Sequence, residues 1–492
     1  MKKKIFTALL VLLAFTLIAC SQNPSSDTEN QEGENQNAPE TQEVPEEDKL
    51  AQFNYGGAAI RVLTSTNSTD GIIINSNYMI EGTGEVTGEI VNDAVFKRNE
   101  DVANLLNVEF EYTHMDEDYG TVQSAISRVI ASGMDEYDII INDLRSLVNL
   151  SLQGMFINTK QNAIFDLSQD YWYSDFMEDV AIGREKSFIL AGDYFIDILR
   201  NCHALFLNQS MLNEQRQNGS DEVHKMVIDG KWTFDEFLKL SKEFLRDLDG
   251  TGVISNTSHQ FGFICVGTWG SAMPFMMAAD TGVFTKDSDG IPALTINNPR
   301  SHMLHDYLTE LFHNQESGAR HQFGLDDLIP QFMSRRSLMV GYQRLSTLES
   351  LRMMEDDVAI LPYPKLSAEQ EKYVTCAHDT IEVGAIPVTT PGFDMISVVL
   401  EALNRETERT VLPAYYEQSL KIKYVRDDYS AQIIDIIRGS MGNVFALAYS
   451  ETISGVLGLY DVNATRNFMS GYERLEQRIL QRLDEVIEQF LE

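Results

Sequence analysis

The chain has 492 residues with 43% hydrophobic content, which is too long for one compact core and predicts two lobes. Its 74 Asp and Glu outnumber its 38 Lys and Arg and give a formal net charge of -36. This charge argues against a nucleic-acid-binding surface, because neutralising phosphates requires clustered Lys and Arg.

The N-terminus has the pattern of a secretory signal, in which lysines at positions 2–4 precede an apolar run over residues 5–18. The run is shorter than the ~20 residues that a membrane-spanning helix needs, so we expect it to be removed. Residues 17–20, Leu-Ile-Ala-Cys, resemble the lipobox of bacterial lipoproteins. The resemblance implies that residues 1–19 are a signal peptide and that Cys20 carries the acyl chains of a membrane anchor. Alternatively, Cys20 is incidental to an ordinary signal peptide.

Residues 20–50 predict a disordered tether. They are rich in Ser, Asn, Gln, Glu, Thr and Pro and contain almost no large apolar residue to bury. Up to residue 48 they carry nine acidic residues and no basic one, so the segment repels itself and extends.

The body then alternates strand and helix patterns. Short apolar runs predict strands, apolar residues at helical spacing predict helices, and Gly133 marks a helix end. The predicted elements are a strand at 59–63 followed by a polar loop, a helix at 92–106, a strand at 108–112, a helix at 119–132 and a strand at 137–141. This alternation indicates parallel pairing in an α/β sheet.

Polar residues follow two of the predicted strands, at 64–67 and 142–145. In open α/β sheets the ligand crevice lies beyond the carboxyl ends of the strands. We therefore select Asn142, Asp143 and Arg145 as candidate ligand contacts. Asp143 could equally cap the helix that follows it.

Several segments, in order along the body, resemble the family 1 extracellular solute-binding proteins that serve ABC importers. The segments are YDIIIND at 137–143, LFLNQSML at 205–212, GKWTFDEF at 230–237, FMSRRSLM at 332–339 and AILPYPK at 359–365. In the second of these, Gln209 replaces the lysine that is usual in the family, and the fourth lacks a usual glycine. Residues 399–404 and 413–417 resemble a subgroup common in Gram-positive bacteria.

The resemblance implies two α/β lobes joined by a hinge, with a solute in the cleft between them, as in type II periplasmic binding proteins. The first lobe would hold residues 51–165 and 377–412, and the second 166–376 and 413–492. The implied function is capture of a mono- or oligosaccharide for an ABC permease by a monomer without a cofactor, anchored outside a Gram-positive cell membrane.

Sugar sites combine aromatic faces with planar polar groups. Trp269 stands between glycines, which favours a ligand-facing indole as much as a packed one. Tyr342 and Arg344 follow a short predicted strand and could supply a stacking face and a bidentate donor, or close a turn. The resemblance adds Asp193, just before the predicted lobe crossing. Trp232 heads a predicted helix, so we expect it to pack in the core.

Metal and disulfide signals are weak. Residues 247–252 resemble a calcium loop, but they lack a third ligand before the glycine, and Ser258 occupies the glutamate position, which favours a glycine-rich turn. Cys202, Cys265 and Cys376 have no metal-ligand spacing, and we expect three buried thiols, although one pair could bridge.

No hydrolase elbow, zinc-protease motif or Walker loop occurs in the sequence. The resemblance to a binding family and the tether together predict a binding protein and not an enzyme. Two alternatives stay open: a secreted carbohydrate-active enzyme that uses two carboxylates, and a ligand sensor for a signalling partner.

Overall fold

The structure is a computed structural model that describes residues 49–69, 72–378, 380–420, 428–461 and 468–492. The predicted signal peptide, Cys20 and the tether up to residue 48 lie outside these residues. The described chain begins with a 3-10 helix, Lys49–Gln52, in which Leu50 is buried. Within the described residues, no helix is both long enough and apolar enough to cross a bilayer.

Strands and helices alternate along the chain. The strands are β1 (Ala58–Thr69), β2 (Ile72–Asn75), β3 (Val108–Met115), β4 (Ile139–Asp143), β5 (His203–Asn208), β6 (Arg246–Asp247), β7 (His259–Val266), β8 (Phe284–Lys286), β9 (Pro292–Leu294), β10 (Ala319–Phe323), β11 (Ser337–Arg344), β12 (Val358–Leu361) and β13 (Glu382–Ala385). The α-helices are α1 (Ser76–Ile80), α2 (Ile90–Leu106), α3 (Tyr119–Ala131), α4 (Leu144–Leu152), α5 (Ser174–Val180), α6 (Asp197–Arg200), α7 (Gln209–Gln215), α8 (Gly219–Ile228), α9 (Phe234–Glu243), α10 (Trp269–Ala278), α11 (Pro299–His313), α12 (Leu325–Met333), α13 (Phe393–Glu406), α14 (Leu412–Leu420), α15 (Asp428–Arg438), α16 (Phe445–Ala448) and α17 (Phe468–Leu491).

Local signals explain the first helices. α2 begins behind Glu89, whose carboxylate accepts two backbone hydrogen bonds of the first turn, and it ends at Asn107 in the left-handed conformation (φ 52°). α3 begins behind Asp118, which caps it in the same way. The predicted helices and strands between residues 59 and 141 are therefore confirmed, with small shifts of their ends except in β1, which extends to Thr69.

Two mixed sheets contain most of the strands. In the first sheet, β1 runs parallel to β3 and β4, while β2 pairs antiparallel with β1 and β13 pairs antiparallel with β4. In the second sheet the order is β10-β7-β11-β5-β12, in which β7 pairs parallel with β10 and β11, and β5 pairs antiparallel with β11 and β12. The short β6 pairs antiparallel with β7. The predicted α/β class is confirmed.

The chain leaves the first sheet after β4, builds the second sheet and returns as β13. Its outgoing and returning segments lie side by side in antiparallel orientation. The backbone N–H of His203 donates to the carbonyl of Cys376 (2.9 Å), and that of His378 donates to the carbonyl of Asn201 (2.9 Å). We call residues 201–203 and 376–378 the crossing segments. The lobe boundaries themselves stay a prediction.

Two predicted loops are in fact strand. Residues 64–67 continue β1, because β1 pairs with β3 up to Ser65 and then with β2 from Thr66. Residues 341–344 continue β11 through a register shift between Val340 and Gln343, which is a β-bulge. Long-range pairing thus extends both strands beyond their apolar cores, which were the only parts that the sequence pattern marked.

Trp232 is 1% exposed, and its indole N–H donates to the carbonyl of Pro362 (3.0 Å), so its predicted packing role is confirmed. The three cysteines beyond the tether, Cys202, Cys265 and Cys376, are buried free thiols, as expected.

Asp247 organises the predicted glycine-rich turn. Its carboxylate accepts backbone hydrogen bonds from Gly250 (2.9 Å) and Gly252 (2.8 Å). Both glycines have positive φ, at 71° and 70°, which the absence of a side chain permits. The carboxylate oxygens therefore hold the turn together.

Candidate functional site

A buried polar cluster lies at the edge of the first sheet, where β1, β4 and β13 meet. Ser65 Oγ is 3.0 Å from Asn142 Oδ1 and 3.1 Å from Glu382 Oε1, and all three side chains are buried. The register that places Asn142 opposite Val383 brings these strands together. Asn142 Nδ2 has no hydrogen-bond partner among the described residues, so this amide retains a donor for a ligand.

Asp143 occupies the next position of β4 and is fully buried. It caps α4, accepting hydrogen bonds from the backbone N–H of Arg145 (3.0 Å) and Ser146 (3.3 Å). Its second oxygen accepts from Arg145 Nη2 (3.2 Å). The capping alternative for Asp143 is therefore what the structure shows, while its contact with a solute stays a prediction.

Arg145 is held from three sides. Besides Asp143, its guanidinium lies over the ring of Tyr119, 4.8 Å from the centroid, and its Nε is 4.0 Å from Glu451 Oε1. Burial raises the pKa of the Tyr119 hydroxyl, while the neighbouring Arg145 lowers it. A cation held over an aromatic ring in this way presents little of its charge to water, since 11% of the Arg145 side chain is exposed.

Glu451 reaches this group from the C-terminal part of the chain, just after α16. Asn149 Nδ2 of α4 donates to Glu451 Oε2 (3.1 Å), and Thr452 Oγ1 donates to Asn149 Oδ1 (2.9 Å). We call Arg145, Asn149, Glu451 and Thr452 the α4 contact. Sequence reasoning missed its C-terminal half, because an isolated glutamate outside any periodic pattern gives no signal.

Tyr342 lies at the bulge of β11 with φ of 57°, a left-handed conformation that few residues other than glycine adopt. Its ring packs directly on Gly270, where a Cβ atom would lie 2.5 Å from the ring. The structure thus brings Tyr342 beside the start of α10, the helix that begins at Trp269. The side chain of Trp269 itself lies outside the described residues.

The side chain of Tyr342 also contacts the crossing segments. The Tyr342 ring stacks on His203 (5.7 Å between centroids) and lies 6.0 Å from the ring of His378. Arg344 is buried, and its Nη1 donates to Asn201 Oδ1 (3.3 Å). The predicted residues Tyr342 and Arg344 therefore contact the crossing segments, which sequence reasoning did not nominate. Their contact with a solute stays a prediction.

Asp193 lies in a different environment. It is fully buried, its two oxygens accept from Arg438 Nη2 (2.7 Å) and Nε (3.2 Å), and Tyr173 Oη donates to it (2.8 Å). Burial raises the pKa of Asp193 to about 6, although Arg438 and Tyr173 oppose the shift. Tyr173 and Arg438 also border a cavity of about 590 Å³ between residues 167–176 and the end of α15. Among the described contacts, none joins Asp193 to the other candidates.

One group of side chains has the order hydroxyl, histidine and carboxylate that is found in hydrolase triads. Thr64 Oγ1 is 2.6 Å from His114 Nδ1, and His114 Nε2 is 2.5 Å from Glu81 Oε2. Thr64 is fully buried, so its hydroxyl is not presented to a substrate. The contact instead fastens β1 to β3 and to the residue after α1. In the part of the chain that the structure describes, no group of three or more His, Cys, Asp or Glu could hold a metal ion.

Solved structures share this architecture. The maltose/maltodextrin-binding domain of Bdellovibrio bacteriovorus, bound to maltotriose, superposes with a TM-score of 0.52 at 10% identity over 87% of this chain and 100% of that one. A cyclo/maltodextrin-binding protein complexed with maltotetraose gives 0.54 at 11% identity over 88% and 97%. An ABC transporter solute-binding protein of Thermotoga lettingae, bound with α-D-tagatose, gives 0.50 at 12% over 88% and 100%.

No protein-family model matches the chain, and no curated protein matches it by sequence. The likeness therefore rests on structure and shows the fold. The chain has the α/β fold of the two-domain solute-binding proteins, and the predicted fold class is confirmed.

Proposed function

We propose that this protein captures a mono- or oligosaccharide outside the cell and delivers it to an ABC importer. The observation that carries the proposal is the amide nitrogen of Asn142, which has no hydrogen-bond partner among the described residues and is buried among polar side chains at the edge of the first sheet. A polyhydroxylated ligand matches a cluster in which the neutral groups of Ser65 and Asn142 lie beside the Glu382 carboxylate, and the half-buried Tyr342 is an aromatic residue of the kind on which a pyranose stacks. The sugars bound to proteins of the same fold add support.

The first test is a thermal-shift screen of the protein against mono- and oligosaccharides. A ligand at 100 times its dissociation constant stabilises the fold by about 2.7 kcal/mol, which is readily detected. Calorimetry then measures affinity in Asn142→Ala and Tyr342→Ala. We expect each to lose about 2 kcal/mol, or roughly thirtyfold in affinity. Asn104→Ala is the control, because Asn104 is exposed on α2. Unchanged affinity in both site variants would remove these residues from the site.

The proposal includes a membrane anchor at Cys20 in a Gram-positive cell, which would keep the protein beside its permease. A single acyl chain binds membranes only marginally, so several chains on the cysteine are needed for a durable anchor. Cys20→Ala should release the protein from the membrane fraction or leave its signal uncut. A variant that is cleaved normally and still fractionates with membranes would contradict the anchor.

A binding role without catalysis is the other part of the proposal. The buried hydroxyl of Thr64 in its contact with His114 supports it, because an acyl-transfer nucleophile must reach its substrate. Incubating the protein with oligosaccharides and assaying reducing ends tests it directly. If the protein releases reducing sugar, and if Thr64→Val or a carboxylate variant abolishes that release, the protein is a hydrolase and the binding role is wrong.

A further inference from the structure

Three cations border one surface cavity in this strongly acidic protein. Lys160, Arg184 and Lys186 line a cavity of about 610 Å³ whose other walls are mostly amides and hydroxyls. Its remaining lining residues are Asn158, Thr159, Gln161, Asn162, Leu167 and Glu185. We call this the basic cavity.

Among the described residues, the cations of the basic cavity form no ion pair with a carboxylate. Lys160 Nζ donates to the carbonyl of Arg184 (2.8 Å), and Lys186 Nζ donates to the last carbonyls of α17, including that of Leu491 (3.0 Å). The exposed guanidinium of Arg184 has no hydrogen-bond or ion-pair partner among the described residues. Elsewhere, arginines such as Arg61, Arg200 and Arg438 are paired with aspartates.

The walls of the cavity are fixed relative to each other. Asn158 Oδ1 accepts the backbone N–H of Ser187 (3.0 Å), and Asn158 Nδ2 donates to the carbonyl of Glu185 (2.8 Å). Thr159 Oγ1 donates to the carbonyl of Ser187 (2.9 Å). These bonds hold residues 158–160 against residues 184–187 without a ligand, so the segments that carry the three cations are fixed side by side. Glu185 is the one carboxylate among the described lining residues, which gives this lining a net positive charge.

We infer that the basic cavity binds a phosphate group carried by a larger molecule. A guanidinium offers a planar pair of donors that matches two phosphate oxygens, and two ammonium groups can neutralise the remaining charge. The volume leaves room for the rest of a ligand beyond the phosphate. Because the net charge of -36 repels anions at long range, binding depends on these local cations and weakens as salt screens them. This site is independent of sugar capture.

Binding is measured on the full chain carrying Cys20→Ser, which removes the thiol that would be acylated. Inorganic phosphate is titrated by calorimetry, and vesicles of phosphatidylglycerol and phosphatidylcholine in equal parts are compared with pure phosphatidylcholine vesicles by cosedimentation. We expect saturable binding of phosphate or of the anionic vesicles. Arg184→Gln should weaken it at least about tenfold, and Arg184→Gln with Lys160→Gln should abolish it.

Lys372→Gln is the matched control, because it removes the same charge from an exposed lysine outside the cavity. Binding of phosphate without vesicles assigns a soluble phosphate compound, and binding of anionic vesicles assigns a lipid headgroup. The inference is overturned if neither probe binds, or if the double variant binds as the parent does. Equal weakening by Lys372→Gln would also overturn it, since net charge alone would then explain the effect.

Discussion

Replacing Arg438 by Gln should destabilise the fold by about 3–5 kcal/mol at pH 8, because it leaves Asp193 as an uncompensated buried charge. Arg438 contacts both oxygens of this carboxylate, at 2.7 Å and 3.2 Å, and Asp193 is fully buried. The hydroxyl of Tyr173 would remain as a donor at 2.8 Å, but a single neutral donor cannot replace a guanidinium.

The loss of stability in Arg438→Gln should depend on pH. Burial raises the pKa of Asp193 to about 6 from 3.8, so the folded protein binds this proton more readily than the unfolded chain. A group of this kind contributes stability below pH 4 that is lost as pH rises through 6. Without Arg438 the pKa rises further, so the variant is penalised most at pH 8. At pH 5 Asp193 is largely protonated in both proteins, and the difference between them should shrink.

Denaturant unfolding of both proteins at pH 8 and pH 5 measures these differences. Adding Asp193→Asn to Arg438→Gln should recover part of the loss at pH 8, since no buried charge remains. Arg482→Gln is the control: its pair with Glu485 is exposed, so we expect a change within about 0.5 kcal/mol. An equal loss at the two pH values, or no recovery in the double variant, would refute the reasoning.

Three further predictions follow from single side chains. Trp232→Ala should cost about 3–5 kcal/mol of stability by calorimetry without changing solute affinity, because the indole packs in the core. Arg98→Met should cost about 3 kcal/mol by denaturant unfolding, since the fully buried guanidinium donates to the carbonyls of Met79 and Ile80, which would lose their partners. Glu451→Ala should weaken solute binding about fivefold in titration calorimetry by removing its bond to Asn149 from the α4 contact, with Glu488→Ala as the exposed control.

The elements that the sequence predicted are those whose signals are local. α3 has its cap at Asp118 and apolar residues on one face, and β4 is a continuous apolar run. The extensions of β1 and β11 were missed because polar residues continue each strand only by pairing with distant partners. The sequence pattern did not mark β13 for the same reason, since Glu382 pairs opposite β4, although the family resemblance places residues 377–412 in the first lobe.

The residues of the candidate site that could be predicted are likewise those with a local signal in the sequence. Asn142 could be selected because it ends a strand, and the position of strand ends in α/β sheets is general. His203, His378 and Glu451 could not, because they come together only when the crossing segments align and the C-terminal part reaches α4. Asp193 shows the converse: a position taken from a family resemblance lies in a buried ion pair, away from the contacts that join the other candidates.

Asp143 allows the two interpretations of its carboxylate to be separated. Asn is as good a helix cap as Asp, so Asp143→Asn should keep α4 capped, whereas Asp143→Ala should lose the cap and about 1 kcal/mol of stability. Both variants remove the charge that orients Arg145 beside Glu451. If Asp143 acts in solute binding through Arg145, both should lower affinity in titration calorimetry, by about tenfold. If affinity falls only in Asp143→Ala, the residue acts through the helix cap and its predicted contact with the solute is wrong.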